Sequence, residues 1–205
     1  MTAHRVGIMG GTFDPVHYGH LIVANEVAQL LDLESVIFSP AARPWHKAAD
    51  HLAPPQDRLE MLSLALEAAP DFVVSTVDLD RGGDTYTIDT LEDLDAQFEA
   101  MYPGESVDWF FITGADALAS LHGWKAPTEL LQRATFVGVS RTGHELELPA
   151  IAGADRIILV EIDEIDISSS GIRDRLALGE TIDGLVPDVV ADYIREHGLY
   201  QGPRA

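Results

Sequence analysis

The sequence contains no cysteine and little positive charge. Without cysteine there can be no disulfide, no thiolate metal site and no cysteine nucleophile. Only 13 lysine and arginine residues stand against 34 aspartate and glutamate residues, for a formal net charge of −21. Nucleic-acid surfaces need a basic stripe, so we expect no nucleic-acid partner. Because lysine occurs only as Lys47 and Lys125, the position of each one is informative about where an anion binds.

Long apolar runs are also missing. No stretch reaches the roughly 20 residues of a membrane-spanning helix, so we expect no membrane span. Residues 1–4 show no signal-peptide pattern, because an apolar run begins almost at once. These absences predict a cytoplasmic protein. The 205 residues suffice for one sizeable core, and we expect a single domain over residues 1–205 whose helical C-terminal portion begins at about residue 168.

Apolar strand-like runs alternate with amphipathic helical patterns along the chain. This alternation predicts an α/β fold, a Rossmann-like doubly wound parallel sheet with helices on both faces. Strands are expected at Arg5–Met9, Ser35–Ser39, Phe72–Val77, Val107–Thr113, Ala134–Ser140 and Arg156–Glu161. Helices are expected at Tyr18–Leu31, Pro55–Ala69, Thr87–Met101 and Thr128–Gln132, with a last one ending at Gly198. Ligands bind beyond the carboxyl ends of such strands, so the residues after each strand are candidate site residues.

The segment after the first expected strand has the sequence GGTFDPVHYGH, residues 10–20. Two glycines at a strand exit let the backbone turn sharply and come close to a ligand. Free N–H groups at the start of the following helix favour an anion. His17 and His20 are three residues apart and can share one face of its first turn. These features indicate a nucleotide phosphate site without specifying a reaction.

This segment resembles the GTFDPxHxGH signature of the nucleotidylyltransferase superfamily, and within it the chain most resembles the bacterial nicotinate-nucleotide adenylyltransferase family. The resemblance extends over nearly the whole chain, through DTYTIDTL at 84–91, GADAL at 114–118, SRTG at 140–143 and ISSSGIRDRL at 167–176. It implies transfer of AMP from ATP to nicotinate mononucleotide, which gives nicotinate adenine dinucleotide and pyrophosphate in NAD biosynthesis.

The resemblance also implies roles for individual residues. The catalytic residues would be His17, His20, Lys47 and Arg173. The ATP-binding residues would be Gly10, Gly11, Thr12, Phe13, His17, His20, Gly114, Asp116, Ile167, Ser168, Ser169 and Arg173. The residues that bind nicotinate mononucleotide would be Lys47, Thr85, Tyr86, Thr87, Trp124 and Arg141, with Trp124 stacked on the pyridine ring.

Local chemistry leaves other interpretations of these segments open. Residues 84–87 are also typical of a helix start with a threonine cap, and residues 168–170 of an N-cap cluster. Trp124 could instead be a core or interface residue. The loop Pro40–Pro54 has Ala41-Ala42 where the family commonly has asparagine, so that contact to the pyridine is lost or moved. We expect this loop to close over the phosphates through Lys47.

Adenylyl transfer onto a phosphate makes modest chemical demands. The acceptor is already anionic, so the protein needs to supply alignment and positive charge rather than a general base. Mg²⁺ is expected on ATP, held mainly by phosphates and water and not by a protein metal site. The alternatives are another adenylyl- or cytidylyltransferase, such as a phosphopantetheine adenylyltransferase, or a non-catalytic nucleotide-binding module. Nicotinate and nicotinamide mononucleotide both fit the sequence as acceptors. The sequence is also compatible with a homo-oligomer.

Overall fold

The computed structural model describes residues 3–44, 52–141, 151, 153–163 and 166–201. A six-stranded sheet and a two-stranded sheet are formed, and all the paired strands run parallel. The strands are β1 (His4–Gly11), β2 (Ser35–Pro40), β3 (Arg43–Pro44), β4 (Phe72–Val74), β5 (Asp84–Thr85), β6 (Val107–Gly114), β7 (Ala134–Arg141) and β8 (Ile158–Ile162). The large sheet has the order β4-β2-β1-β6-β7-β8. Its strand order reverses between β1 and β6, where a doubly wound sheet opens a crevice for ligands.

Helices cover both faces of this sheet. The described residues form α1 (Tyr18–Leu30), α2 (Pro55–Leu66), α3 (Val77–Arg81), α4 (Thr87–Met101), α5 (Ala115–Ala119), α6 (Pro127–Arg133), α7 (Ser169–Ala177) and α8 (Asp188–His197). Alternate residues of β6 enter two separate cores. Phe110 and Ile112 join side chains of α1, α2 and α8, whereas Trp109 and Phe111 join side chains of α4 and α6. The predicted single-domain, doubly wound α/β fold is therefore confirmed. Within the described residues, no helix combines the length and apolar character needed to cross a bilayer.

Every expected strand is observed with one or both of its ends shifted by one to three residues, and two of these shifts shorten a strand. The strand expected at Phe72–Val77 ends at Val74, and α3 begins at Val77. The chain turns there because the carboxylate of Asp78 is buried and accepts hydrogen bonds from Ser39 Oγ at 2.8 Å and Thr90 Oγ1 at 2.7 Å. The last strand begins at Ile158 instead of Arg156, which lies in a short 3-10 turn. Both errors arise where contacts distant in sequence override an apolar run.

The expected threonine cap is also wrong. The residue that precedes α4 is Tyr86, and no side chain caps this helix. The Thr85 hydroxyl instead accepts a hydrogen bond from the Ala42 backbone N–H at 3.0 Å. This bond accompanies the pairing of β3 with β5, which the sequence did not predict. As a result, the segments that follow β2 and precede α4 lie side by side at the carboxyl edge of the large sheet.

Arg58, in α2, connects three backbone segments at this edge of the sheet by hydrogen bonds. Its side chain is only 1% exposed. The guanidinium donates to the carbonyls of Thr12 at 2.7 Å, Ala41 at 2.8 Å, Ala42 at 3.2 Å and Ala53 at 3.2 Å. Buried backbone carbonyls need a hydrogen-bond donor, and this single guanidinium donates to four such carbonyls. Arg58 thereby joins the turn after β1, the segment after β2 and the start of α2.

We predict that Arg58→Ala lowers the free energy of unfolding by about 3 kcal/mol or more, because it leaves several buried carbonyls without donors. Arg175→Ala is the matched control, since the Arg175 side chain is 51% exposed and lies 3.9 Å from Glu180. That exposed pair is expected to contribute less than about 1 kcal/mol. Urea unfolding of both variants is the measurement. Equal losses of stability would contradict the role of Arg58.

Candidate active site

Two adjoining cavities open where the strand order reverses. The larger has a volume of about 450 Å³ and the smaller about 340 Å³. Gly10, at the end of β1, Thr113, near the end of β6, and His20, in α1, line both of them. The segment GGTFDPVHYGH therefore lies at the junction of the cavities, at the position expected from the sequence.

The turn between β1 and α1 is closely packed. A Cβ atom at Gly11 would lie 2.9 Å from the ring of Phe13, so a larger residue does not fit there without a shift. Phe13 itself is buried and adopts a φ of 49°, a left-handed conformation that is strained for an aromatic residue. Its ring contacts those of His20 and Phe38, with centroids 5.0 and 5.7 Å away. These contacts hold the turn and the first turn of α1 in a fixed relation.

The two histidines of the segment stack on each other. Their ring centroids are 3.7 Å apart, with an interplanar angle of 26°. The backbone N–H of His17 donates to Nδ1 of His20 at 3.3 Å. A neutral His20 ring therefore carries its proton on Nε2, which is a hydrogen-bond donor. His17 is the residue that precedes α1 and His20 lies in its first turn, and the two side chains share one face as expected.

His17 differs from the cation that the sequence suggested. Its side chain is buried, and this burial lowers the pKa of His17 from the ordinary 6.5 to about 4. At neutral pH the imidazole is therefore uncharged in the structure. Its Nδ1 atom is buried and has no hydrogen-bond partner among the described residues. His17 can bind a phosphate as a hydrogen-bonding group, whereas the positive charge must come from elsewhere.

The start of α7 supplies a charged group. Ser168 precedes the helix and its hydroxyl accepts from the Gly171 N–H at 3.1 Å, which confirms the predicted N-cap. The hydroxyl of Ser169 donates to the Pro15 carbonyl at 2.9 Å, and Nη1 of Arg173 donates to the Asp14 carbonyl at 2.7 Å. These two bonds attach α7 to the turn after β1. They place the Arg173 guanidinium in the lining of the larger cavity.

The far wall of the larger cavity consists of residues before and within α4, together with Trp124. Thr85, Tyr86 and Thr87 line this wall. The Trp124 ring is half-buried and makes T-shaped contacts with Phe111 and Phe136, with both centroid distances 6.1 Å. These two rings fix the position of the indole in the cavity wall, where its exposed part can contact a flat ligand.

The structure brings most of the expected residues together. Those in the larger cavity are Gly10, Gly11, Thr12, Phe13, His20, Thr85, Tyr86, Thr87, Trp124, Ser169 and Arg173. Those in the smaller cavity are Gly10, His17, His20, Gly114 and Ile167. Ser168 lines neither cavity. Lys47 and the loop around it lie outside the described residues, and only the backbone is described for Asp116, in α5, and Arg141, at the end of β7.

Several lining residues were not predicted. Asp14, Ser39, Asp78, Thr90 and Lys125 line the larger cavity. Lys125 could have been predicted as a site residue from the sequence, because it is one of only two lysines in the chain. Its Nζ lies 2.7 and 2.9 Å from the Asp89 carboxylate and 4.9 Å from the centroid of the Tyr86 ring. In the described part of the chain, no group of three or more histidine, aspartate or glutamate side chains could hold a metal ion.

Known proteins resemble this chain in sequence over nearly its whole length. The Cytidylyltransferase-like family matches residues 8–175. A protein of Acidothermus cellulolyticus, named "Probable nicotinate-nucleotide adenylyltransferase", is 50% identical over 197 residues, which are 96% of this chain and 94% of that protein. A protein of the same name from Frankia alni is 49% identical over 193 residues, which are 94% of this chain and 98% of that protein.

The fold has a counterpart among solved structures. The Plasmodium falciparum nicotinic acid mononucleotide adenylyltransferase complexed with NaAD superposes with a TM-score of 0.74 at 19% sequence identity. The match covers 96% of this chain and 97% of that one. At this identity the likeness establishes the fold.

The burial of His17 predicts how stability depends on pH. A pKa lowered from 6.5 to about 4 means that the unfolded chain takes up a proton at His17 before the folded protein does. Stability from this group is therefore present above pH 6.5 and is lost as the pH falls towards 4. Between pH 7 and 5 we expect a loss of about 2 kcal/mol from His17 alone.

Urea unfolding of the parent protein and of His17→Gln at pH 7 and pH 5 measures the contribution of His17 to the free energy of unfolding. The variant is expected to lose about 2 kcal/mol less than the parent over that interval. NMR titration of the His17 ring gives an independent check, with a midpoint near pH 4. A ring that titrates near 6.5, together with equal pH dependence in both proteins, would contradict the burial argument.

Proposed function

The chain belongs to the cytidylyltransferase-like family and, within it, to the nicotinate-nucleotide adenylyltransferases, and on that basis we propose that it transfers AMP from ATP to nicotinate mononucleotide. The products are nicotinate adenine dinucleotide, for NAD biosynthesis, and pyrophosphate. The observation that carries the proposal is the junction of two cavities at His20, on which His17 stacks. Transfer between two nucleotides requires two binding spaces that meet at the reacting phosphates. A cytoplasmic location stays an expectation from the sequence.

We place the adenosine of ATP in the smaller cavity. Its walls include the apolar side chains of Met9, Val23, Ile112 and Val139. His17 and Ser140 also line it and are its polar side chains beside His20, Thr113 and Asp163. Apolar walls with a few polar groups suit a purine base and its ribose. The triphosphate would then extend over the start of α1 towards Arg173.

We place nicotinate mononucleotide in the larger cavity. There the pyridine ring would lie against Trp124, whose indole is a suitable partner for an electron-poor ring. Thr87 begins α4, a helix of 15 residues, and the free N–H groups at such a start favour a carboxylate. The nicotinate carboxylate would thus face the segment Thr85–Thr87. The mononucleotide phosphate would reach back to the junction near His20.

The reaction follows from this placement. A phosphate oxygen of the mononucleotide attacks the α-phosphorus of ATP, and the bond from that phosphorus to the β-phosphate oxygen breaks. Pyrophosphate leaves with the bonding electrons, and no proton must be removed from the attacking oxygen. His20, through Nε2–H, and Arg173 donate to phosphate oxygens where charge accumulates, and neutral His17 contributes a further hydrogen bond. Mg²⁺ would enter as MgATP, held mainly by phosphate oxygens and water, as this hard cation prefers.

Pyrophosphate release from ATP with a panel of acceptors tests the proposal. We expect turnover with nicotinate mononucleotide that exceeds turnover with nicotinamide mononucleotide, phosphopantetheine or no acceptor. His20→Ala should stay folded and lose at least about 10²-fold in kcat, the size of loss that follows removal of one transition-state donor. Preference for another acceptor would assign the protein to a different member of the superfamily. No release with any acceptor would support a binding module instead.

Trp124→Leu tests the position of the pyridine ring. We expect KM for nicotinate mononucleotide to rise by roughly tenfold while KM for ATP changes little, because aromatic stacking and buried area are lost at one site only. Trp109→Leu is the matched control. Trp109 is buried near the opposite end of β6, where Nε1 donates to Asp95, and lines neither cavity. Trp109→Leu should lower the melting temperature without separating the two KM values, and the same pattern in Trp124→Leu would rule out stacking.

A further inference from the structure

The segment after α8 reaches into the site. Gly198 ends α8 in a left-handed conformation, with φ at 62°, and the chain then doubles back to Tyr200. Tyr200 also has a positive φ, of 60°, which is uncommon for an aromatic residue and persists only where the surroundings impose it. Its hydroxyl donates to Oδ1 of Asp14 at 2.7 Å, across 186 positions of sequence.

Asp14 is the residue that receives this bond. Its carboxylate is 1% exposed and lies in the turn between β1 and α1. Oδ1 also accepts from the Ala53 N–H at 3.0 Å. Oδ2 accepts no hydrogen bond from any described residue, and it lies 3.6 Å from Nη1 of Arg173. The backbone carbonyl of Asp14 accepts from the same Nη1 at 2.7 Å. Asp14 therefore holds one end of the Arg173 guanidinium by charge and by a hydrogen bond.

Tyr200 keeps this carboxylate in one orientation. Burial and the neighbouring Asp14 charge raise the pKa of the Tyr200 hydroxyl well above its usual range, so the hydroxyl stays a donor. With Oδ1 held by two donors, rotation of the carboxylate is restricted and Oδ2 stays towards Arg173. Nη1 is the only nitrogen of Arg173 bonded to another described residue. The rest of the guanidinium fork can then bind a phosphate.

We propose that Tyr200 is a positioning residue for ATP, acting through Asp14 on Arg173. The proposal rests on the proposed function, in which Arg173 contacts the ATP phosphates. It extends the site to the segment that follows α8. A bond to a charged group in a buried setting is stronger than an ordinary one, so its loss should be measurable.

Tyr200→Phe removes one oxygen atom and tests the proposal. We expect about tenfold weaker binding of a non-hydrolysable ATP analogue by calorimetry, and a similar loss of kcat/KM for ATP. KM for the mononucleotide should stay unchanged. Tyr193→Phe is the matched control, because the Tyr193 hydroxyl donates to Asp57 Oδ1 at 2.9 Å and neither residue lines a cavity. It should leave analogue binding and kinetics at the parental values. Melting temperatures of both variants show whether any loss reflects unfolding.

A double-mutant cycle separates positioning from general packing. If Tyr200 acts through Arg173, Tyr200→Phe should weaken analogue binding by less than about twofold when Arg173→Lys is already present. An equal loss on both backgrounds, or equal losses in Tyr200→Phe and Tyr193→Phe, would overturn the proposal. Analogue binding needs no acceptor, so an error in the assigned acceptor would appear in the panel of acceptors and leave this cycle unaffected.

Discussion

The four carbonyl bonds of Arg58 are the contacts on which the site depends most. The guanidinium joins the turn after β1 to the segment after β2 and to the start of α2. None of these backbone segments is a regular strand or helix where the bonds form, so no ladder of hydrogen bonds holds them. A buried arginine replaces that ladder with a single planar donor. Turn, loop and helix start thus keep a fixed geometry around the larger cavity.

Positive charge is scarce in this protein, and this limits how the site can attract nucleotides. A protein with a net charge of −21 repels nucleotides at a distance, so attraction must be local. Burial keeps His17 neutral, so in the proposed mechanism His17 contributes a hydrogen bond and not a charge. In that mechanism, fixed positive charge comes from Arg173, together with the partial charge at the start of α1. Orientation of these few groups therefore matters more than their number, which makes a buried carboxylate beside Arg173 significant.

The sequence predicted those features that are local. The GGTFDPVHYGH segment, the alternation of strands and helices and the N-cap at Ser168 all depend on neighbours a few residues away. The end of β4, the pairing of β3 with β5 and the bond from Tyr200 to Asp14 depend on contacts that are distant in the chain. Asp78 illustrates the reason. The apolar run Phe72–Val77 before it predicts a strand, while the buried carboxylate of Asp78 accepts hydrogen bonds from hydroxyls of β2 and α4. No local pattern carries that information.

The central claim is that the two cavities divide the two nucleotides and that their phosphates meet at the histidines. A crystal structure with a non-hydrolysable ATP analogue and nicotinate mononucleotide tests it most directly. We expect adenine in the smaller cavity beside Val139, the pyridine ring against Trp124, and phosphates within hydrogen-bond distance of His20 and Arg173. Adenine against Trp124, or both nucleotides in one cavity, would contradict it.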